Sequence, residues 1–235
     1  MKDGPWVKFC GLTRLEDALA AVELGVDALG FVLWPRSPRH ISPEAVARIS
    51  TQLPDTVMRV GVFVDTDVEA AAAVARDARL TAVQLHGGAS PEQLAQAGLP
   101  VLVAASVAQH EQNPLRAAVA CDEAWPRSVT LLVDAADAER RGGTGQRANW
   151  SFARVLSSRR RIVLAGGLSA ETVEEALLQV QPFGVDVSSG IESAPGIKDA
   201  QRMDAFVRAV REAAASIPGT PSATTWGDGR GERDG

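Results

Sequence analysis

The chain has 235 residues, 46% hydrophobic and 23% charged, with a net charge of −5 at neutral pH. That balance suits a soluble globular protein with a sizeable core and excludes the basic surface that nucleic acid requires. Two cysteines, Cys10 and Cys121, stand far apart without CxxC spacing, which argues against a zinc site and against a disulfide framework. The N-terminus lacks a signal-peptide pattern, and no apolar run reaches the ~18 residues of a membrane span. A cytosolic enzyme with no membrane partner is the expectation.

In chain order, Val7 to Gly11 is a short apolar run after Pro5 that stops on a cysteine and a glycine. Alternation puts Lys8 and Cys10 on one face of this strand. Thr13 as N-cap, with Glu16 three residues on, predicts the first helix, and Gly25 closes it. Ala28 to Trp34 is a second strand, apolar on both faces and so buried on both. The loop Pro35 to His40 carries Arg36 and Arg39, and Ser42-Pro43 starts the next helix. The alternation continues with a strand over 58–64 and a helix over 65–78. A strand over 81–85 ends in His86-Gly87-Gly88, and Ser90-Pro91-Glu92 caps a further helix. A strand over 99–105 and a helix around 113–120 follow. The strand over 129–133 ends on Asp134. After a polar, Gly-rich loop, a short helix starts near Asn149. The strand over 162–165 ends in Gly166-Gly167, with Ser169-Ala170-Glu171 opening a helix. The strand over 185–187 ends in Ser188-Ser189-Gly190. The last helix spans about 198–214.

Eight strands alternating with eight helices in about 215 residues point to an α/β fold, a single (β/α)8 barrel. A doubly wound sheet would carry a nucleotide fingerprint after the first strand, and Cys10-Gly11-Leu12-Thr13 is not GxGxxG. The barrel is placed at 1–215 and a disordered, flexible tail at 216–235, where Gly, Thr, Ser and Asp dominate.

Sites in such barrels form at the C-terminal strand ends. Those ends carry Cys10, Arg36 and Arg39, Gln84 and His86, Asp134, Gly166-Gly167 and Ser188-Ser189-Gly190. The glycine- and serine-rich turns after strands seven and eight suit a phosphate dianion, because exposed backbone N–H groups can approach it. Cys10 and Asp134 can flank one substrate as base and acid, although a lone cysteine also serves as a small core residue. His86 is a rival base, or a structural donor. Arg36 and Arg39 are either partners for a substrate carboxylate or a solvated pair of charges. Lys8 and Asp186 lie within strands, and inward-facing they form an ion pair under the site.

The segments Val7-Lys8-Phe9-Cys10-Gly11-Leu12-Thr13, Gly30-Phe31-Val32 with Ser37-Pro38-Arg39, and Val83-Gln84-Leu85-His86-Gly87 resemble the phosphoribosylanthranilate isomerase family of tryptophan biosynthesis. So do Leu131-Leu132-Val133-Asp134, Gly142-Gly143-Thr144-Gly145, Ala165-Gly166-Gly167-Leu168 and Val185 to Glu192. The ordered set runs from about Val7 to Val210. The resemblance implies an Amadori rearrangement of an aminoaldose phosphate to an aminoketose phosphate, with no metal or redox cofactor. It implies Cys10 as general base and Asp134 as a protonated general acid of raised pKa. Arg39 would face the anthranilate carboxylate, with Gln84 and His86 also lining the substrate site. Gly143, Gly145, Gly166, Gly167, Ser188, Ser189 and Gly190 would hold the phosphate. The small-molecule substrate is the partner, and the protein is a monomer or homodimer. A sugar isomerase of histidine biosynthesis follows similar logic but carries aspartate where Cys10 stands. A non-catalytic phosphate-binding barrel is the remaining alternative.

Overall fold

The computed structural model describes residues 4–94, 97–135 and 147–216. Along the chain run β1 (Trp6–Cys10), α1 (Leu15–Glu23), β2 (Ala28–Val32), α2 (Pro43–Ser50), β3 (Met58–Val64), α3 (Val68–Asp77) and β4 (Ala82–His86). β5 (Val101–Ala105), α4 (Pro114–Ala124), β6 (Thr130–Val133), α5 (Trp150–Ser157), β7 (Ile162–Leu164), α6 (Val173–Val180) and β8 (Gly184–Val187) follow. A two-stranded hairpin, β9 (Glu192–Ala194) and β10 (Ile197–Lys198), precedes α7 (Ala200–Ser216). Strands β1 to β8 form a closed barrel in sequence order, and β8 returns to pair with β1 in parallel. The expected (β/α)8 architecture is therefore present.

Alternation along each strand sorts the side chains into two compartments. Val7, Phe9, Leu29, Phe31, Leu131 and Val133 belong to the outer core between barrel and helices. Trp6, Ala28, Val60, Ala82, Leu102, Leu132 and Val163 fill the barrel interior together with Phe183. Both faces of the strands are apolar for this reason, which makes their sequences continuous hydrophobic runs. The helices obey the complementary rule: α3 buries Val68, Ala71, Ala72 and Ala75, one stripe at helical spacing.

Local signals set most helix starts. Ser42 accepts from the Ala45 N–H and Pro43 stands at the first helical position, as expected. Asn149 caps α5 by accepting from Phe152 N–H at 3.0 Å. Gly25 follows α1 with φ +75°, the left-handed residue that ends the helix.

Three expectations need correction. Thr13 does not cap α1: its Oγ1 donates to the Gly196 carbonyl at 2.5 Å, a partner 183 residues away, and the N-cap position falls to Arg14. No α-helix occurs among the described residues between β4 and β5. There Gln93 brackets a turn, accepting from Ser90 N–H and donating to Asp67, and Gly98 (φ +63°) and Pro100 cut the segment short. The last helix starts at Ala200, not at Lys198, because Lys198 belongs to the hairpin and Asp199 accepts from the Gln201 and Arg202 N–H groups as the cap. This helix reaches Ser216; residues 217–235, the rest of the expected tail, lie outside the described residues. No helix of the described residues is long and apolar enough to cross a membrane.

The barrel floor leaves no room at Gly184. A Cβ there would lie 2.6 Å from the Trp6 carbonyl oxygen, which is backbone and cannot yield. Gly184→Ala is expected to destabilise the fold by about 1–3 kcal/mol. An unchanged denaturant midpoint would show that β1 and β8 separate more easily than this geometry implies.

Candidate active site

The polar groups gather at one end of the barrel because the alternation that fills the floor with Trp6, Ala28 and Leu132 continues upward into Lys8, Cys10, Gly30 and Asp134. Lys8 is fully buried. Its Nζ donates to Asp186 Oδ1 at 3.0 Å, and the two residues are direct partners in the β1–β8 register. The inward ion pair expected from the sequence is thus formed. Burial works against the Lys8 ammonium, but Asp186 and the Cys10 side chain outweigh it and hold the group above its ordinary value.

Cys10 is the last residue of β1 and sits directly above Lys8 on the same face. Burial pushes its thiol up, with Lys8 pulling in the opposite direction. Space for both side chains comes from β2. A Cβ on Gly30 would lie 2.8 Å from Cys10 Sγ and 3.0 Å from Lys8 Nζ. Glycine at this position is a steric requirement of the pair.

Asp134 follows β6 and is half-buried, with its Oδ1 accepting from the Ala135 N–H at 2.7 Å. Gly166, at the end of β7 with φ +78°, leaves room for it: a Cβ there would approach Asp134 Oδ1 to 3.0 Å and Ala135 N to 2.8 Å. The turns after β7 and β8 touch. A Cβ on Gly190 would run into the Leu168 carbonyl oxygen. Gly166, Gly167, Ser188, Ser189 and Gly190 therefore form adjoining turns. Gly143 and Gly145 lie outside the described residues.

On the opposite wall, Gln84 and His86 are buried neighbours on the inner face of β4. Gln84 Nε2 and His86 Nε2 are 2.8 Å apart. Which of the two donates is set by the tautomer of the ring. Among the described residues, Gln84 Oε1 is buried without a hydrogen-bond partner.

The two arginines of the loop after β2 separate. Arg36 is exposed, whereas Arg39 is buried and folds back over Gly11. Its Nε and Nη2 donate to Glu192 Oε1 and Oε2 at 2.9 and 2.7 Å, so one edge of the guanidinium is already occupied by a carboxylate of this chain. Glu192 is in turn bound by Lys198 Nζ at 2.8 Å. Neither Glu192 nor Lys198 stands out as a site residue in the sequence. Pro195-Gly196 between them is a turn signal that could have brought them together.

An eight-stranded parallel barrel with a thiol, a carboxylate and paired glycine-rich turns at its C-terminal rim defines a barrel enzyme with a preformed rim site. Residues 7–209 match the family model described as N-(5'phosphoribosyl)anthranilate isomerase. A curated relative of that name from Trichlorobacter lovleyi is 47% identical, over 88% of this chain and 98% of the relative. The crystal structure of phosphoribosyl anthranilate isomerase from Thermotoga maritima superposes with a TM-score of 0.77 at 41% identity, covering 88% of this chain and 99% of that one. A further solved phosphoribosyl anthranilate isomerase, in complex with reduced 1-(o-carboxyphenylamino)-1-deoxyribulose 5-phosphate, matches with a TM-score of 0.74 at 40% identity, covering 88% and 99%. The chain belongs to the phosphoribosylanthranilate isomerase family, the isomerases of tryptophan biosynthesis.

The environment of Cys10 sets a pH dependence. A thiol pushed up by burial ionises only above the usual range near ~8.5. In a Cys121→Ser background, the rate of alkylation by iodoacetamide should rise with pH to a midpoint above that range. Lys8→Met removes the opposing cation and should move the midpoint higher still. A midpoint that stays put, or falls, would remove Lys8 as a stabiliser of the thiolate.

Proposed function

We propose that the barrel rim converts N-(5-phosphoribosyl)anthranilate to 1-(2-carboxyphenylamino)-1-deoxyribulose 5-phosphate by an Amadori rearrangement, with Cys10 as general base and Asp134 as general acid. The observation that carries this reading is the placement of Cys10 on the inner rim directly above the Lys8–Asp186 pair. A relative bound to the reduced product supports the substrate class.

The chemistry uses what the rim offers. Asp134 gives a proton to the ring oxygen as the C1–O bond breaks, and the anthranilate nitrogen lone pair forms the C1=N bond of a Schiff base. That cation acidifies the proton on C2. The Cys10 thiolate takes this proton, and the C–H electrons become a C1=C2 double bond as the nitrogen is neutralised. In the final tautomerisation the enol hydroxyl gives its proton to solvent and C1 takes one from solvent, leaving the ketone at C2; Cys10 then releases a proton to solvent and Asp134 takes one up, which resets the pair. Lys8 offsets part of the burial cost of the Cys10 thiolate and so favours the ionised form that takes the proton. The turns carrying Gly166, Gly167, Ser188, Ser189 and Gly190 hold the phosphate, with Gly143 and Gly145 as its further glycine partners. Gln84 and His86 line the sugar, where the unpartnered Gln84 Oε1 suits a hydroxyl donor. With Glu192 on one edge of Arg39, the anthranilate carboxylate meets the other edge, which includes Nη1.

Loss of the fluorescence of freshly prepared phosphoribosylanthranilate measures this activity, with the histidine-pathway aminoaldose as control. Cys10→Ser and Asp134→Asn are expected to keep the fold and to lower kcat by about 10²- to 10⁴-fold each. Near-native kcat in either variant removes that residue from its role. Wild-type protein that leaves the substrate untouched sinks the whole reading.

A further inference from the structure

The hairpin of β9 and β10 places a buried ammonium where the proposed mechanism has no use for a third cation. Lys198 has a fully buried side chain. Its Nζ donates to three acceptors from three parts of the chain: the Cys10 carbonyl at 2.5 Å, Glu192 Oε1 at 2.8 Å and the Ser188 carbonyl at 3.2 Å. Three donors meet three acceptors, so the ammonium is satisfied without solvent. Its backbone is held as well: the Lys198 N–H donates to Asp17 Oδ2 at 3.1 Å, and Arg14 Nη2 donates to the Lys198 carbonyl at 3.4 Å. Glu192 is equally engaged, accepting from Arg39, from Lys198 and from the Gly196 N–H at 3.1 Å.

We infer that Lys198 and Glu192 form a positioning unit that fixes the proposed base, the phosphate turn and Arg39 relative to one another. The inference rests on the roles proposed above for Cys10, Ser188 and Arg39. Each contact bears on one of them. The bond to the Cys10 carbonyl fixes the end of β1, and with it the direction of the Sγ. The bond to the Ser188 carbonyl pins the start of the β8 turn beside it. The Glu192 carboxylate passes the restraint to the Arg39 guanidinium, and the aliphatic stem of Arg39 packs on Gly11 next to Cys10. A second positive charge near the thiol also favours its ionised form, the direction Lys8 exerts from below. Neither Lys198 nor Glu192 needs to touch substrate to act this way.

Lys198→Met and Glu192→Gln test the unit. Lys198→Met should lower kcat at least about tenfold, within the ~10²-fold that misplacement by an ångström costs. It should also move the Cys10 alkylation midpoint to higher pH, with Lys198→Arg recovering part of both effects. Glu192→Gln should chiefly raise KM, through a loosened Arg39. Circular dichroism confirms folding in each case. Folded Lys198→Met protein with unchanged kcat and alkylation midpoint overturns the inference. If that variant does not fold, Glu192→Gln decides, and its unchanged KM overturns it equally. Should wild type fail to turn over phosphoribosylanthranilate, the functional reading fails by itself. The alkylation midpoint then still separates the outcomes: a shift supports the positioning of Cys10, and no shift refutes it.

Discussion

The Lys8–Asp186 pair closes the barrel and supports its site at once. The two residues face each other across the seam where β1 meets β8, so the first and last strands of the barrel join at this contact. Removing either partner would leave a charge buried without compensation, a loss of several kcal/mol. A one-residue slip of β8 against β1 would turn Asp186 outward and leave Lys8 buried inside the barrel without its partner. The pair therefore selects one register for closure. Because Cys10 stands two residues beyond Lys8, that same register decides which way the thiol points. Gly30 completes the arrangement from β2 by having no side chain to contest the space.

Above this seam the interior changes character. The floor is apolar and close-packed, whereas the rim carries Cys10, Gln84, His86, Asp134 and Ser188 on the same inward rows of the strands. Stability and chemistry are thus divided along the barrel axis, as the fold allows. The rim is tied together by segments outside the strands. The Gly190 backbone lies against the Leu168 carbonyl, so the β7 and β8 turns are in contact. The β9–β10 hairpin reaches back to Thr13, Arg14 and Cys10, so the end of the chain braces its beginning.

The sequence alone determined the strands, the barrel and the candidate rim. Strands buried on both faces read as continuous apolar runs, and turn residues punctuate them, so even short elements such as Ile162–Leu164 were legible. Helix starts with a local cap, at Ser42 and Asn149, were legible because cap and helix are neighbours in sequence. The order of Cys10, Asp134 and the glycine-rich turns at strand ends followed from counting strands. Tertiary structure decided the rest, where the partner is remote. Thr13 looks like an N-cap, yet a carbonyl 183 residues away takes its hydroxyl. Arg39 looks free to meet a ligand, yet Glu192 holds one edge of it. Lys198 looks like the first turn of a helix, yet it is buried under the Cys10 carbonyl. Periodicity and capping report only on near neighbours, while hydrogen bonds and ion pairs across a closed barrel form between residues that folding alone makes adjacent.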